Sequence, residues 1–268
     1  MSWINEVNEI KKRLKLIKEM GGKDKIKRQY DAGRTTVRER IDALVDKNSF
    51  KEIGKLTGLS EYDENGKLKK LTAANSVIGH AKINTVPVVI YGDDFTIRGG
   101  ASDAAIHEKM ITAERFANEY RLPLIRLIEG TGGGGSVKSL EKDGYTYVPA
   151  NPGWDWVVSN MATVPVISLG LGPVAGLGAA RLVSSHYSVI VKNMSQVFVA
   201  GPPVVNRLGE TVTKESLGGS EIHGKNGVID EVADSEADAL AKAKKFLSYL
   251  PSSTYEIPKK IKNNDFKK

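Results

Sequence analysis

Cysteine is absent from the 268 residues. That excludes disulfides, thiolate nucleophiles and any zinc site built on sulfur, and it is compatible with a reducing compartment. Long apolar runs are absent too: none approaches the roughly 20 residues needed to span a bilayer, so no membrane partner is expected. The opening residues, MSWINEVNEIKKRLKLIKEM, carry too many charges to serve as the apolar region of a secretory leader. Histidine is scarce. His80, His107, His186 and His223 are not spaced as metal ligands, and each reads as a structural or surface residue; no metal is expected. No Gly-Lys-Ser/Thr follows a glycine loop and no G-x-S-x-G occurs, which excludes a P-loop and a serine nucleophile elbow.

What is there begins with charge. The net charge is +7, and residues 1–40 supply twelve Lys/Arg against six Asp/Glu. The tail 258–268 holds five lysines against one aspartate. A basic arm raises the question of nucleic acid, but no aromatic interleaving or recognition motif accompanies it. A solvated helix face, or a site for phosphate-bearing ligands, fits better.

Trp3, Val7, Ile10, Leu14 and Ile17 recur at steps of four and three, which predicts an amphipathic helix with a narrow seam, stopped at Gly21-Gly22. Residues 23–34 read as a basic connector. Thr36-Val37-Arg38-Glu39 fits a capping box, with Ile41, Leu44 and Val45 as the apolar face behind it. Residues 61–70 read as a polar turn. Strands are expected at 76–83 and 86–91, joined through Asn84-Thr85. Asp93 and Asp94 border the next turn and are expected to be solvated. Ser102 is a candidate cap for a helix over 103–121. Residues 154–161 read as helix, 164–169 as strand, and 188–191 and 196–199 as further strands. Residues 235–250 read as a terminal helix. Alternating strands and helices predict an α/β layered fold with crossover connections.

The chain is organised around residues 122–137. Leu122, Leu124, Ile125, Leu127 and Ile128 form an apolar run of strand length that ends at Gly130-Thr131-Gly132-Gly133-Gly134-Gly135. A second strand, 164–169, runs into Gly170, Gly172, Gly176 and Gly178. Glycines at the carboxyl end of a buried strand expose bare backbone where open α/β proteins bind ligands. Gly130, Gly132 and Gly135 satisfy G-x-G-x-x-G, but residues 136–152 lack the apolar-faced helix that a dinucleotide site needs. The readings left are a tight turn at a crowded strand exit and a set of backbone donors for an oxyanion. Glu129, just before the glycines, is the carboxylate to watch as an acid or base. Paired amides suit a reaction through an enolate, where losing one oxyanion donor costs roughly 3–4 kcal/mol.

At this point the sequence resembles the N-terminal half of the carboxyltransferase subunits of biotin-dependent acyl-CoA carboxylases, the propionyl-CoA carboxylase β type. Residues 33–41, GRTTVRERI, are similar to G-K-x-T-A-R-E-R-I. Asp94-Phe95-Thr96 with Gly99-Gly100 is similar to D-F-T-x-x-G-G-S, and Phe198-Val199-Ala200-Gly201-Pro202 to F-V-T-G-P. Leu247-Ser248-Tyr249-Leu250-Pro251 resembles the boundary L-L-S-Y-L-P. The glycine loop departs from the common D-S-G-G-A-R.

The resemblance implies a crotonase-like α/β fold over 49–251, with N-terminal helices in 1–48 and a basic tail in 252–268. It implies carboxyl transfer from carboxybiotin to an acyl-CoA such as propionyl-, acetyl- or methylcrotonyl-CoA. Gly132 and Gly133 would then form the catalytic oxyanion pair. Arg98, Gly99, Gly100, Ala101, Gly134, Gly176, Leu177 and Gly178 would bind substrate. Biotin would be carried by a partner. The partners implied are a second carboxyltransferase half, absent from a chain that stops at Lys268, together with biotin carboxylase and biotin carrier subunits. A homo-oligomer in the cytoplasm or mitochondrial matrix is expected. Alternatives are a biotin-dependent acyl-CoA decarboxylase subunit, an enoyl-CoA hydratase or isomerase using Glu129, and a non-catalytic assembly domain.

Overall fold

The computed structural model describes residues 2–100, 107–130, 141, 144 and 153–258. Helices α1 (Ile4–Lys18), α2 (Lys23–Asp31) and α3 (Val37–Leu44) come first. Strands β1 (Lys51–Ile53), β2 (Gly58–Tyr62), β3 (Leu68–Ala73), β4 (Ser76–Ile83) and β5 (Val86–Asp93) follow. Next are α4 (His107–Tyr120), β6 (Leu124–Gly130), α5 (Trp154–Asn160), β7 (Val166–Ala175) and α6 (Leu177–Val183). The chain continues through β8 (Tyr187–Val191), β9 (Gln196–Phe198) and the short helices α7 (Pro202–Val205), α8 (Lys214–Gly218) and α9 (Ser220–His223). It closes with β10 (Glu231–Ala233) and α10 (Glu236–Leu247).

Among the described residues the main sheet runs β1-β4-β5-β6-β7-β8-β10, with β9 added to β7. Pairings from β5 through β10 are parallel, and β1, β4 and β5 are antiparallel. The two apolar runs that end in glycines, β6 and β7, are neighbours and pair in register from Leu124↔Val166 to Leu127↔Leu169. Alternation along β6 sends Ile125 and Leu127 to one face, where Ile41 and Leu44 of α3 and Leu240 and Leu247 of α10 complete the core. Leu124 faces the other side with Ala113 and Ala117 of α4, and Ile128 does so with Ala179 and Leu182 of α6. Each such aliphatic side chain contributes about 1.5–3 kcal/mol on full burial.

Local chemistry explains the elements that were expected. Thr36 accepts from the Glu39 amide while the Glu39 carboxylate takes the Thr36 amide, so α3 has its capping box. Asn84 and Thr85 hold φ of 49° and 71° in the two-residue β4–β5 turn. Both of their amides donate to the Asp46 carboxylate, at 2.9 and 2.8 Å, which offsets the strain of a β-branched residue there.

Four expectations are corrected. Residues 23–31 form a helix, α2, whose buried residue is the polar Gln29. Residues 61–70 are the centre of the β2–β3 hairpin. Asp94 is buried and Asp93 half-buried, so neither is solvated. Strand β7 does not stop at Leu169 but runs through Gly170, Gly172 and Pro173. Its glycines make room: a Cβ at Gly172 would stand 2.6 Å from Glu129 Oε1, and one at Gly170 3.1 Å from Leu182. The α1 seam is only part packed. Ile17 is buried against Ala73 and Ile97, while Trp3, Ile4, Val7 and Ile10 are exposed.

Candidate functional site

Three strand exits meet at one place. After β5 the chain turns through Arg98, Gly99 and Gly100 with φ of 53°, 62° and 66°. Strand β6 leaves through Gly130 at φ 133°, and β7 leaves through Gly176 at φ 58°, which caps α6. The exits touch backbone to backbone. A Cβ on Gly100 would lie 2.6 Å from the Glu129 carbonyl oxygen, one on Gly130 2.8 Å from that of Gly99, and one on Gly178 2.9 Å from that of Gly130. A side chain at any of these positions would separate the layers. Arg98, Gly99, Gly100, Gly176, Leu177 and Gly178 are thus gathered around Gly130. Ala101, Gly132, Gly133 and Gly134 lie outside the described residues.

A basic cavity of about 350 Å³ opens beside this junction. Its walls are Lys25, Arg28, Gln29 and Arg34 from the N-terminal segment and Phe95, Thr96, Arg98 and Gly99 from the β5 exit. The Asp94-Phe95-Thr96 stretch builds its floor. Asp94 accepts from the Thr96 amide at 3.0 Å and from its hydroxyl. The Thr96 hydroxyl oxygen in turn accepts from the Gly21 amide at 2.9 Å, so the α1–α2 connector is hooked onto the site. The Arg34 guanidinium lies over the Phe95 ring at 5.2 Å. Burial raises the Asp94 carboxyl, against the pull of its Thr96 hydrogen bonds.

Glu129 does not play the part expected of it. Its side chain is fully buried and points to the face opposite α6. Arg40 holds it at 2.5 Å and Arg34 at 3.1 Å, and the Gln29 amide donates to both oxygens. Arg40 also donates to the Leu171 carbonyl at 2.9 Å and pairs with Glu236 of α10. The GRTTVRERI stretch is therefore a clamp that ties α2 and α3 to β6, β7 and α10. A carboxylate held this way cannot reach a ligand without giving up Arg34 and its share of Arg40, which argues against Glu129 as an acid or base.

A second polar cluster lies under α6. Arg126, fully buried between Leu124 and Ile128 on β6, pairs twice with Glu114 of α4, at 2.9 and 2.8 Å. It also donates to the carbonyls of Arg181 and Ser184, closing the C-terminal turn of α6. Arg181 reaches Glu114 at 3.2 Å and covers the Tyr91 ring at 4.2 Å. Burial would raise Glu114, but Arg126 and Arg181 hold it below the usual carboxylate range. The Tyr91 hydroxyl donates to Asp93, whose other oxygen accepts the Glu129 amide at 3.1 Å. Burial pushes the Asp93 carboxyl up to about 6 against the opposing pull of Arg181. Lys109 falls to about 8 through burial, with its ammonium on the Ser76 carbonyl. A charge set at a period-two position of an apolar run, Arg126, was the sequence signal for this cluster.

The histidines are structural where their side chains are described. His186 accepts from the Val166 amide and faces the Met161 carbonyl, and His223 faces the Val197 carbonyl. His80 is exposed on β4, stacked on Phe116. Two apolar cavities also open among the described residues. One, of about 390 Å³ at the opposite end of β7, is lined by Val164, His186 and Leu250. The other, about 690 Å³, opens from Gly176 along Ala179, Val183, Phe198 and Val199. Among the described residues no helix is long and apolar enough to cross a membrane.

A largely parallel sheet covered by helices on both faces, with glycine-lined strand exits meeting at one edge, defines a crotonase-like fold. The chain belongs to the carboxyl transferase domain family, which matches residues 28–267. It is 31% identical over 258 residues to the mitochondrial propionyl-CoA carboxylase beta chain of Sus scrofa, covering 94% of this chain and 46% of that one. It is 28% identical over 257 residues to the methylmalonyl-CoA decarboxylase subunit alpha of Veillonella parvula, covering 94% and 49%. The transcarboxylase 12S crystal structure with methylmalonyl-coenzyme A and methylmalonic acid bound superimposes with a TM-score of 0.79 at 26% identity, covering 96% of this chain and 49% of that one. The chain spans about half the length of the curated relatives it matches.

Proposed function

We propose that this chain is the acyl-CoA-binding half of a biotin-dependent carboxyltransferase. The observation that carries the reading is that Gly99 belongs both to the basic cavity and to the glycine junction. A coenzyme A thioester is polyanionic at one end and carries its reacting carbonyl at the other. Lys25, Arg28, Arg34 and Arg98 suit the phosphates. The backbone amides of the glycine exits, with Gly132 and Gly133 as the proposed oxyanion pair, suit the carbonyl as it becomes an enolate oxygen.

Carboxybiotin, carried by a partner, would supply the carboxyl group as CO2, and the ureido nitrogen freed by its loss would accept the α-proton. The thioether ring and alkyl arm of biotin are apolar, and the apolar groove beside Gly176 suits them. This chain's own share is to orient the thioester, exclude water and stabilise negative charge through backbone donors. On this reading residues 49–251 are the transferase unit and 1–48 brace it. The exposed α1 seam and the Val199 groove serve a second carboxyltransferase half and further copies of the chain. Biotin carboxylase and carrier subunits complete the assembly, in the cytoplasm or mitochondrial matrix. A second reading, transfer from acyl-CoA to biotin in a decarboxylase, is favoured by the Veillonella relative.

Calorimetric titration with propionyl-CoA, followed by carboxyl transfer with the second half and a carboxylated carrier supplied, tests this. Lys25→Ala and Arg28→Ala should each weaken CoA binding roughly tenfold or more, a charge-assisted hydrogen bond being worth about 1.5–3 kcal/mol. Both residues are exposed, so folding should not change. If CoA fails to bind, or binds equally well to both variants, the reading is wrong.

A further inference from the structure

The cluster under α6 is larger than packing needs, and it touches both glycine exits. Asp93 holds the amide of Glu129, one residue before Gly130. Arg181 lies in the helix that begins at Gly176, so fixing Arg181 fixes the 176–178 turn. Tyr91 joins the two, donating its hydroxyl to Asp93 and taking the Arg181 guanidinium on its ring face. Arg126 closes the far end of the same helix. The cluster is thus one continuous truss from the β5 exit, past the β6 exit, to the C-terminal half of α6, behind which a single turn runs back to Gly176. Its members come from two strands, β5 and β6, and two helices, α4 and α6.

We propose that Asp93 and Arg181 are positioning residues, which hold the Gly176–Gly178 turn and the Gly130 exit in register for the chemical step. This rests on the carboxyltransferase reading for its kinetic consequences, though not for its structural ones. Neither residue acts on substrate. Each acts through the backbone, whose amide directions set how well an oxyanion is held.

The cluster has an ionisation signature. Among the described residues, the groups facing Asp93 are Tyr91 on its own strand, Glu129 on β6 and Arg181 on α6. Glu114 on α4 and Arg126 on β6 stand behind Arg181. Asp93 titrates near 6, so its charge toward Arg181 is present above that pH and lost below it. Asp93→Asn can keep one acceptor for the Glu129 amide, removes the charge, and puts an NH2 where the Tyr91 hydroxyl now donates.

The test uses the full chain assembled with its second half. For Asp93→Asn, kcat for carboxyl transfer should fall about tenfold at pH 7.5 while KM for acyl-CoA changes less than twofold. The wild-type acid limb near pH 6 should disappear. Arg181→Lys should give the same split, with partial activity retained because the cation is kept. Amide hydrogen exchange on the chain alone, at one pH, gives a readout independent of activity. The amides of Ala180 in α6 and of Ser184, which caps it, should exchange at least fivefold faster in Asp93→Asn, with α10 unchanged. If those amides exchange at wild-type rates, the truss does not couple the exits and the proposal is overturned. If they exchange faster while wild type itself transfers no carboxyl group, the coupling stands and the functional reading fails instead. If exchange quickens and wild type is active, but kcat and the acid limb do not move, the positioning role is overturned.

Discussion

Glu129→Gln separates a structural carboxylate from a catalytic one. In the native chain its two oxygens accept from the Gln29 amide and from Arg40 at 2.5 Å and form an ion pair with Arg34 at 3.1 Å, and its side chain has no exposure. Glutamine is isosteric, but it replaces one acceptor by an NH2 that must face a guanidinium donor. It also leaves two buried or half-buried cations short of an anion. Breaking a buried pair from one side costs about 3–5 kcal/mol. Arg40 keeps Glu236, which offsets part of this, so the lower end, about 3 kcal/mol, is expected. At roughly 2–4 °C per kcal/mol for a domain of this size, Tm should fall by about 6–12 °C. The assay is thermal and urea unfolding by circular dichroism, with carboxyl transfer per folded molecule measured well below the transition. Transfer should stay within about threefold of wild type. A variant that melts as wild type does but is inactive would refute the reasoning, since Glu129 would then be chemical and an enoyl-CoA hydratase reading would return.

Gly178→Ala places a Cβ 2.9 Å from the Gly130 carbonyl, a contact made by backbone that cannot swing away. It should cost about 1–3 kcal/mol by overpacking and lower carboxyl transfer with it, as unfolding curves and steady-state assays on one preparation would show; unchanged stability would mean the exits are not in contact. Gly133→Val should lower carboxyl transfer by roughly 10²–10³, the scale for one oxyanion donor, with CoA affinity retained; normal transfer would mean the glycines form only a tight turn.

Local signals were legible in the sequence, and tertiary ones were not. The α3 capping box, the β4–β5 turn and the apolar run of β6 are each decided by a few neighbouring residues, and each was readable. Helix α2 was not, because its buried face is Gln29 and periodicity arguments look for apolar residues. The β2–β3 hairpin is largely exposed on both faces, so no alternation marks it. Gly170 and Gly172 read as a loop because glycine so often ends a strand. Here they lie inside β7, where Leu182, Ile190 and the Glu129 side chain need their space. Arg98, Gly99 and Gly100 were singled out with 176–178 only through the family resemblance; nothing in their own sequence says that the β5 exit packs on Gly130. The basic cavity was legible only as an excess of positive charge in residues 1–40, with no indication of where it folds.

The two buried clusters have a common logic. A site whose donors are backbone amides has no side chain to re-aim when the scaffold shifts, so its precision comes from how rigidly the strand exits are held. Strand β6 is held from both faces just before its glycines. Arg126 on one side meets Glu114 and the end of α6, and Glu129 on the other meets Arg34, Arg40 and Gln29. Leucine pairs at these positions would pack as well and avoid desolvating charge. Charged networks instead fix direction, since planar guanidiniums on carboxylates tolerate little rotation. Asp93 sharpens the point. Its raised carboxyl is easier to protonate in the fold than in the unfolded chain, so its ionisation costs stability as pH rises from about 4 through 6. Keeping a charge there at neutral pH is unfavourable for folding alone, and it is intelligible if that charge aims α6 and the turn that precedes it.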